Sequence, residues 1–313
     1  MKKRLIAQST APLFRDQARL FLQQGTNRKR SPFRPATIKV YKSQIETNLN
    51  PNIGNLPLDV IGNKAVKDLA AVLAAKNLKP ASIALNINII KQIRGSAQDN
   101  EGAELYPYTW NTEFIDAPEI KDQSAPIASA QAVTDAIKSS DSGLPSLIAV
   151  LAGTGLRIGE ALALVAHGDE RQNNVWDRDK AVIYVRQQRR AEKVGPTKTR
   201  AGIREIDLPL ELNQFLSFQL MLNDINGFVF PMSENYYRQR LSKCGILGGF
   251  HSLRRFRVTH LRLQSVPESL IHFWIGHEDE SVTDRYTKVG TEIESRKQWA
   301  QKAGLGFNLP EGV

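Results

Sequence analysis

Thr154-Gly155-Leu156-Arg157-Ile158-Gly159-Glu160-Ala161-Leu162 is the stretch from which the rest of this 313-residue chain can be read. Gly153 and Gly155 turn the chain out of an almost wholly apolar run, Leu144 to Ala152, into a segment where Arg157 and Glu160 stand three apart. On a helix that spacing puts both on one face, so the carboxylate orients the guanidinium and leaves its outer edge to an incoming anion. Alone, the pair equally fits an ordinary intrahelical ion pair. Downstream come Lys198, then His251 and Arg254 three apart, then His277 and Tyr286. At a helix start, His251 and Arg254 would meet at one point beside the partly positive helix end. A phosphodiester gains negative charge on its nonbridging oxygens as a nucleophile adds. Two guanidiniums and two imidazoles can meet that charge where a metal pair otherwise would.

Charge is unevenly placed. Of the formal +10, residues 1 to 100 hold 17 Lys and Arg against 5 Asp and Glu, while residues 101 to 313 hold 25 against 27. The basic front half favours a polyanion, with affinity that falls steeply as salt rises. Cys244 is the only cysteine, so no intrachain disulfide and no cysteine-based zinc site is expected. No apolar stretch has signal-peptide or membrane-span length, so a cytoplasmic protein with no membrane partner is expected.

Apolar residues recur at helical spacing through the front half. Leu13, Phe14, Ala18, Phe21 and Leu22 mark a first helix ended by Gly25, and Thr37 caps a second bearing Ile38, Tyr41, Ile45 and Leu49 before Pro51. Val66, Leu69, Val72 and Leu73 mark a third, and Ile83, Ile87, Ile90 and Ile93 a fourth. The basic residues Arg28, Lys29, Arg30 and Arg34 fall between the first two helices, either as a solvated loop or as phosphate contacts. Periodicity breaks over residues 101 to 124, which carry Gly102, Pro107 and Pro118. The division this suggests is a helical domain over 1–116, a linker over 117–124 and a second domain over 125–313. In the latter, Ser129 caps a helix through Lys138, and helices follow over 210–223, over 234–243 and from His251, Pro267 and Ser281. Residues 181–187 and 204–208 alternate as strands of a hairpin with Lys198 near its tip. The fold class is therefore mainly α, an N-terminal helical domain plus a mixed α+β domain with a small antiparallel sheet.

Together the boxes resemble those of the tyrosine recombinases, the phage-type integrases. Thr154 to Leu162 resembles their first arginine box. Pro196-Thr197-Lys198-Thr199 followed by Arg204-Glu205-Ile206-Asp207-Leu208-Pro209 is similar to their lysine hairpin. His251-Ser252-Leu253-Arg254 resembles their His-x-x-Arg box, and Ile275-Gly276-His277 with Tyr286 nine residues on resembles their terminal boxes. The resemblance spans roughly residues 125 to 290, and the front half is similar to their core-binding domain in pattern only. Departures are Ile275, where the family often has Leu, and Gln264-Ser265-Val266-Pro267, where a Gly is common at the turn.

The resemblance implies a catalytic set of Arg157, Lys198, His251, Arg254, His277 and Tyr286, with Glu160 in support. Tyr286 would attack the scissile phosphate to give a 3′-phosphotyrosyl enzyme and a free 5′-hydroxyl. The bond energy is retained, so no cofactor and no metal is expected. An unperturbed phenol is ionised to only about one part in a thousand at pH 7, a deficit of roughly 4 kcal/mol that nearby cations and a base must offset. The implied partner is double-stranded DNA bearing specific recombination sites, bound by a homotetramer, with a monomer as the open alternative when free of DNA. A C-terminal helix over 293–303, with Ile293 and Trp299 as apolar surface, would pack on its own domain or dock on a neighbour. His260, His272, Tyr236 and Tyr237 match no box; the histidines are expected to pack or face solvent, and the tyrosines to pack or contact DNA. Two other readings stay open at this point: a silent DNA-binding protein of the same fold, and a nicking-closing enzyme resembling type IB topoisomerases.

Overall fold

The computed structural model describes residues 9–120, 125–141, 143–221, 227–276 and 289–310, and the chain divides into two compact units, Met1–Gln123 and Ser124–Val313. The front unit is built from α1 (Phe14–Asn27), α2 (Pro35–Gln44), α3 (Asn50–Ile53), α4 (Asn63–Ala75), α5 (Pro80–Gly95) and α6 (Thr112–Ile115). Its core takes Phe14, Ala18 and Phe21 from α1, Val66, Leu69 and Leu73 from α4, and Ile83, Ile87, Ile90 and Ile93 from α5, the three-and-four spacing of a buried helix face. Val72 was predicted inward but is 40% exposed.

Three local differences from the sequence expectations have plain causes. α1 runs past Gly25 to Asn27, because Gly25 serves as a seat for the Phe33 ring rather than as a stop; a Cβ there would lie 2.1 Å from that ring. α2 starts at Pro35, not at Thr37, since the fixed φ of proline suits a first helical turn. Pro51 does not end the second helix either. A π-turn over Ile45–Leu49 leads into α3, where Pro51 again occupies the first turn.

In the second unit, α8 (Leu144–Thr154) is apolar on nearly every side and buried at every residue but Pro145. Around it stand α7 (Ala130–Ser139), capped by the Ser129 hydroxyl as predicted, α10 (Leu210–Met221), α11 (Glu234–Leu241) and α12 (Gly249–Leu263). The single turn α9 (Ile158–Ala161) leads into a four-stranded sheet of β1 (Leu164–Val165), β2 (Asn174–Asp177), β3 (Val182–Val185) and β6 (Arg204–Asp207), in that spatial order. The β2–β3 and β3–β6 pairs are antiparallel, with Ile183 facing Ile206, while β1 runs parallel to β2.

The predicted hairpin is more complex than expected. Between β3 and β6 the chain folds a second hairpin, β4 (Gln187–Arg190) and β5 (Lys193–Pro196), whose tip is Ala191-Glu192. Lys198 is therefore not near a tip. It sits on a bend past β5, where the chain returns towards β6. Buried Asn174 sets the kink that starts the extra hairpin: its Oδ1 accepts from the amides of Arg186 and Gln187 at 2.6 and 2.8 Å.

α13 (Glu268–Ile275) and α14 (Ile293–Ala303) complete the unit. α14 packs on its own unit through Trp299, as expected, but not through Ile293, which is 49% exposed. Arg296 is the anchor instead. Its Nε and Nη2 donate to Asp207 at 3.0 and 3.2 Å, its Nη2 also reaches Glu205 at 2.8 Å, and its guanidinium lies over the Phe273 ring. Trp274 Nε1 donates to the same Asp207 at 2.8 Å, so one buried carboxylate joins α13, α14 and β6. Beyond α14, Leu305 and Phe307 enter the core. No helix among the described residues is long and apolar enough to cross a membrane.

Arg296→Met would leave the buried Asp207 without its cation. A loss of about 3 kcal/mol is expected, read as a lower urea midpoint of unfolding; an unchanged midpoint would mean that Trp274 alone satisfies the carboxylate.

Candidate active site

Two helix ends meet a third element at this site. α8 and α13 each stop at a glycine in the left-handed region, Gly155 at φ +71° and Gly276 at φ +68°. A left-handed terminus releases the last carbonyls of a helix, which carry its negative partial charge and want donors. Three guanidiniums supply them along one run of backbone. Arg204 Nε donates to the Trp274 carbonyl at 2.6 Å, Arg254 Nη2 to that of Ile275 at 2.7 Å, and Arg157 Nη2 to that of Gly276 at 3.1 Å. Arg254 Nη1 also donates to the Gly155 carbonyl at 2.6 Å, tying the two helix ends together.

Glu160 is the carboxylate among them. It is 2% exposed and accepts from the Arg157 backbone amide, from Arg157 Nη1 and from Arg204 Nη2, each at 2.9 Å. Arg157 is not inside a helix, as the spacing suggests, but is the extended residue just before α9. The Glu160 carboxylate reaches back to the Arg157 amide and holds the side chain from both ends. Burial works against the charge on Glu160, but Arg204, followed by the Arg157 amide and guanidinium, outweighs it and keeps the carboxyl below its ordinary range. Three guanidiniums against one carboxylate leave a surplus of two positive charges. The Arg157 side chain, 26% exposed, is where that surplus meets solvent.

Arg254 projects from α12 and is 5% exposed. Burial, and then the like charges of Arg157 and Arg204, push it down to about 9, against the pull of Glu160; it remains charged at pH 7. His251 lies in the first turn of α12 with its side chain exposed. Partial desolvation, then the charges of Arg255, Arg254 and Arg157, hold its imidazole below the ordinary 6.5, so it is neutral at pH 7 and able to take a proton.

Lys198 is exposed on its bend between buried Thr197 and the short 3₁₀ turn Arg200–Gly202. Thr197 Oγ1 donates across it to the Thr199 carbonyl at 2.7 Å. The 3₁₀ turn rests on Gly276: a Cβ there would lie 2.8 Å from the Ala201 carbonyl oxygen and 3.1 Å from the Arg204 side chain. The lysine connection, the arginine box and the end of α13 thus converge on the residue before His277. His277, the Glu278-Asp279-Glu280 run, Ser281 and Tyr286 lie outside the described residues.

Sequence reasoning missed Arg204 and Asn174. Arg204 shares a strand face with buried Ile206 and is itself 3% exposed, an inward arginine on a core strand; that alternation is the signal that marks it. Asn174 Nδ2 donates to the Glu160 carbonyl at 2.7 Å and so steadies the turn that carries Glu160; no sequence signal distinguishes it from other asparagines. The side chains that matched no box pack as expected. His260 Nε2 lies 2.8 Å from the Ala303 carbonyl, His272 pairs with Glu268, Tyr237 is buried against Phe230, and Tyr236 lies under Arg240. Arg28, Lys29, Arg30 and Arg34 are exposed in the connection between α1 and α2, with Arg28 over the Phe33 ring.

The fold is similar to that of solved DNA integrases. The Tn1549 transposon integrase in complex with a circular intermediate DNA is matched at a TM-score of 0.66 and 16% identity, over 90% of this chain and 94% of that one. A lambda integrase dimer bound to a COC′ core site is matched at 0.60 and 14% identity, over 97% and 81%. The fold is that of the tyrosine recombinases. No protein-family model and no curated protein matches the sequence.

Gly276→Ala forces a Cβ into the 3₁₀ turn from a left-handed backbone. A loss of about 2 kcal/mol or more is expected in urea denaturation; a midpoint equal to that of the wild type would show that the turn moves away at little cost.

Proposed function

We propose that the protein is a site-specific DNA recombinase that cuts and rejoins strands through a 3′-phosphotyrosyl intermediate. The observation that carries this reading is the surplus of two positive charges at the Arg157, Arg204, Arg254 and Glu160 cluster, built against Gly276 immediately before His277. A phosphodiester approaching the exposed edge of Arg157 meets a preorganised cation whose partners are already fixed. Little reorganisation is then needed as charge develops in the transition state. That the solved neighbours of this fold are integrases bound to DNA supports the same substrate.

In this reading the Tyr286 oxygen attacks phosphorus as His251, neutral at pH 7, takes the phenolic proton. The bond from phosphorus to the 5′-oxygen breaks, its electron pair stays on that oxygen, and Lys198 delivers a proton there. Arg157 and Arg254 hold the nonbridging oxygens, and His277 donates a hydrogen bond to the phosphate. Rejoining is the reverse, with a 5′-hydroxyl as nucleophile and the phenol as leaving group. Metal and nucleotide are not required by this balance. The front unit, with most of the net positive charge, would grip the DNA backbone, Arg28, Lys29, Arg30 and Arg34 among its phosphate contacts. A tetramer on DNA would bring the two recombining sites together.

The test is trapping on nicked suicide DNA in EDTA. The wild type should form a denaturant-stable protein–DNA adduct and Tyr286→Phe none, while both bind the DNA. Tight binding without an adduct in either protein would favour a silent DNA-binding role. With the lowered imidazole pKa, the adduct rate should hold down to below pH 6.5 before it falls, and His251→Ala should lose that limb of the pH profile; a decline that starts well above pH 6.5 and survives the substitution would remove His251 from the proton transfer.

A further inference from the structure

We infer that Arg204 is a positioning residue for the reaction: it fixes the backbone connection that carries Lys198 to the Arg157–Glu160 pair, so that the leaving-group acid and the phosphate-holding guanidinium keep one spacing. The inference rests on the recombinase reading and deepens it. Arg204 is the first residue of β6 and is 3% exposed. Its three nitrogens bond to three separate parts of the chain. Nε donates to the Trp274 carbonyl at 2.6 Å, Nη1 to the Gly202 carbonyl at 2.9 Å, and Nη2 to Glu160 Oε2 at 2.9 Å. Charge neutralisation alone does not explain this arrangement, because Glu160 already has Arg157 as counter-ion.

The Gly202 bond is the informative one. Gly202 closes the 3₁₀ turn that follows Lys198, and its amide donates to the Thr199 carbonyl at 3.1 Å, the same carbonyl that takes the Thr197 hydroxyl. A Cβ on Gly202 would lie 2.7 Å from the Thr197 side chain, so the turn is packed on itself. Two short steps, Arg204 to Gly202 and Gly202 to Thr199, therefore run from the guanidinium to the backbone flanking Lys198. On its other edge the same guanidinium grips the carboxylate that orients Arg157. Lys198 itself is exposed, and where its ammonium can reach is set by where this backbone is held. A lysine at position 204 would keep the charge but lacks the planar fork that serves three acceptors at once.

The test separates proton delivery from general integrity of the site. Full-length wild type, Arg204→Lys, Arg204→Met and Lys198→Ala are assayed for adduct formation on nicked suicide DNA whose scissile phosphate leaves either a 5′-oxygen or a 5′-sulfur. A thiolate is a far better leaving group than an alkoxide and departs without a proton. Lys198→Ala and both Arg204 variants should be slowed about 100-fold on the oxygen substrate and by less than about 10-fold on the sulfur one. The ratio of the two rates is independent of how much variant is folded, and Arg204→Lys supplies a charge-conserving protein should Arg204→Met fold poorly. Equal losses on both substrates in the Arg204 variants, with sulfur rescue intact in Lys198→Ala, would overturn the inference and leave the recombinase reading standing. Absence of an adduct in wild type on either substrate would instead overturn that reading, and the inference with it.

Discussion

Everything at this site follows from three guanidiniums, two buried and the third partly exposed, being gathered beside one buried carboxylate. Arginine does not surrender its proton at pH 7, so Arg204 and Arg254 must find acceptors where water cannot reach. The chain meets that demand with carbonyls more than with acids: Trp274, Ile275 and Gly276 offer three in succession at the negative end of α13, and Gly155 offers another at the end of α8. Carbonyls satisfy hydrogen bonds without cancelling charge. The cluster is therefore well bonded and still net positive.

That requirement shapes the elements around it. The two left-handed glycines turn the helix ends so that their carbonyls face inward, and each lacks a Cβ where one would collide, Gly155 with Ile275 and Gly276 with the turn after Lys198. β6 carries Arg204 at one end and Asp207 at the other. Through Asp207 it also holds Trp274 and Arg296, so α13 is fixed at the base of the sheet by a carboxylate and at its end by guanidiniums. α14 belongs to this scaffold. It is anchored by the Arg296 ion pair beside a short apolar strip of Trp299, Ala300 and Ala303, and Ile293 remains at the surface.

Buried arginines elsewhere show that burial alone does not make such a site. In the front unit, Arg94 bonds to the carbonyls of Leu58, Ile61 and Tyr106 and lies over Tyr108. In the second unit, Arg189 of β4 bonds to the carbonyls of Phe230, Pro231 and Met232. Each pins a loop. Among the described residues neither shares a bonded carboxylate with further guanidiniums, and that grouping sets the Arg157, Arg204 and Arg254 cluster apart from a simple staple.

The sequence by itself determined the helical front unit, an apolar helix over 144–152, the pairing of strands placed at 181–187 and 204–208, and the boxes that carry Arg157, Glu160, Lys198, His251 and Arg254. These were legible because periodicity, caps and short spacings are local, and α-helices and strands form from local patterns. Only the tertiary structure decided that Arg157 precedes its helix rather than lying in it, that a second hairpin moves Lys198 away from a tip, and that Arg204 and Asn174 belong to the site. Each of these depends on acceptors far away in sequence: Arg204 reaches Glu160 and Trp274 across 44 and 70 residues. A guanidinium's partners are chosen by what the fold brings within 3 Å, and no local pattern records that choice.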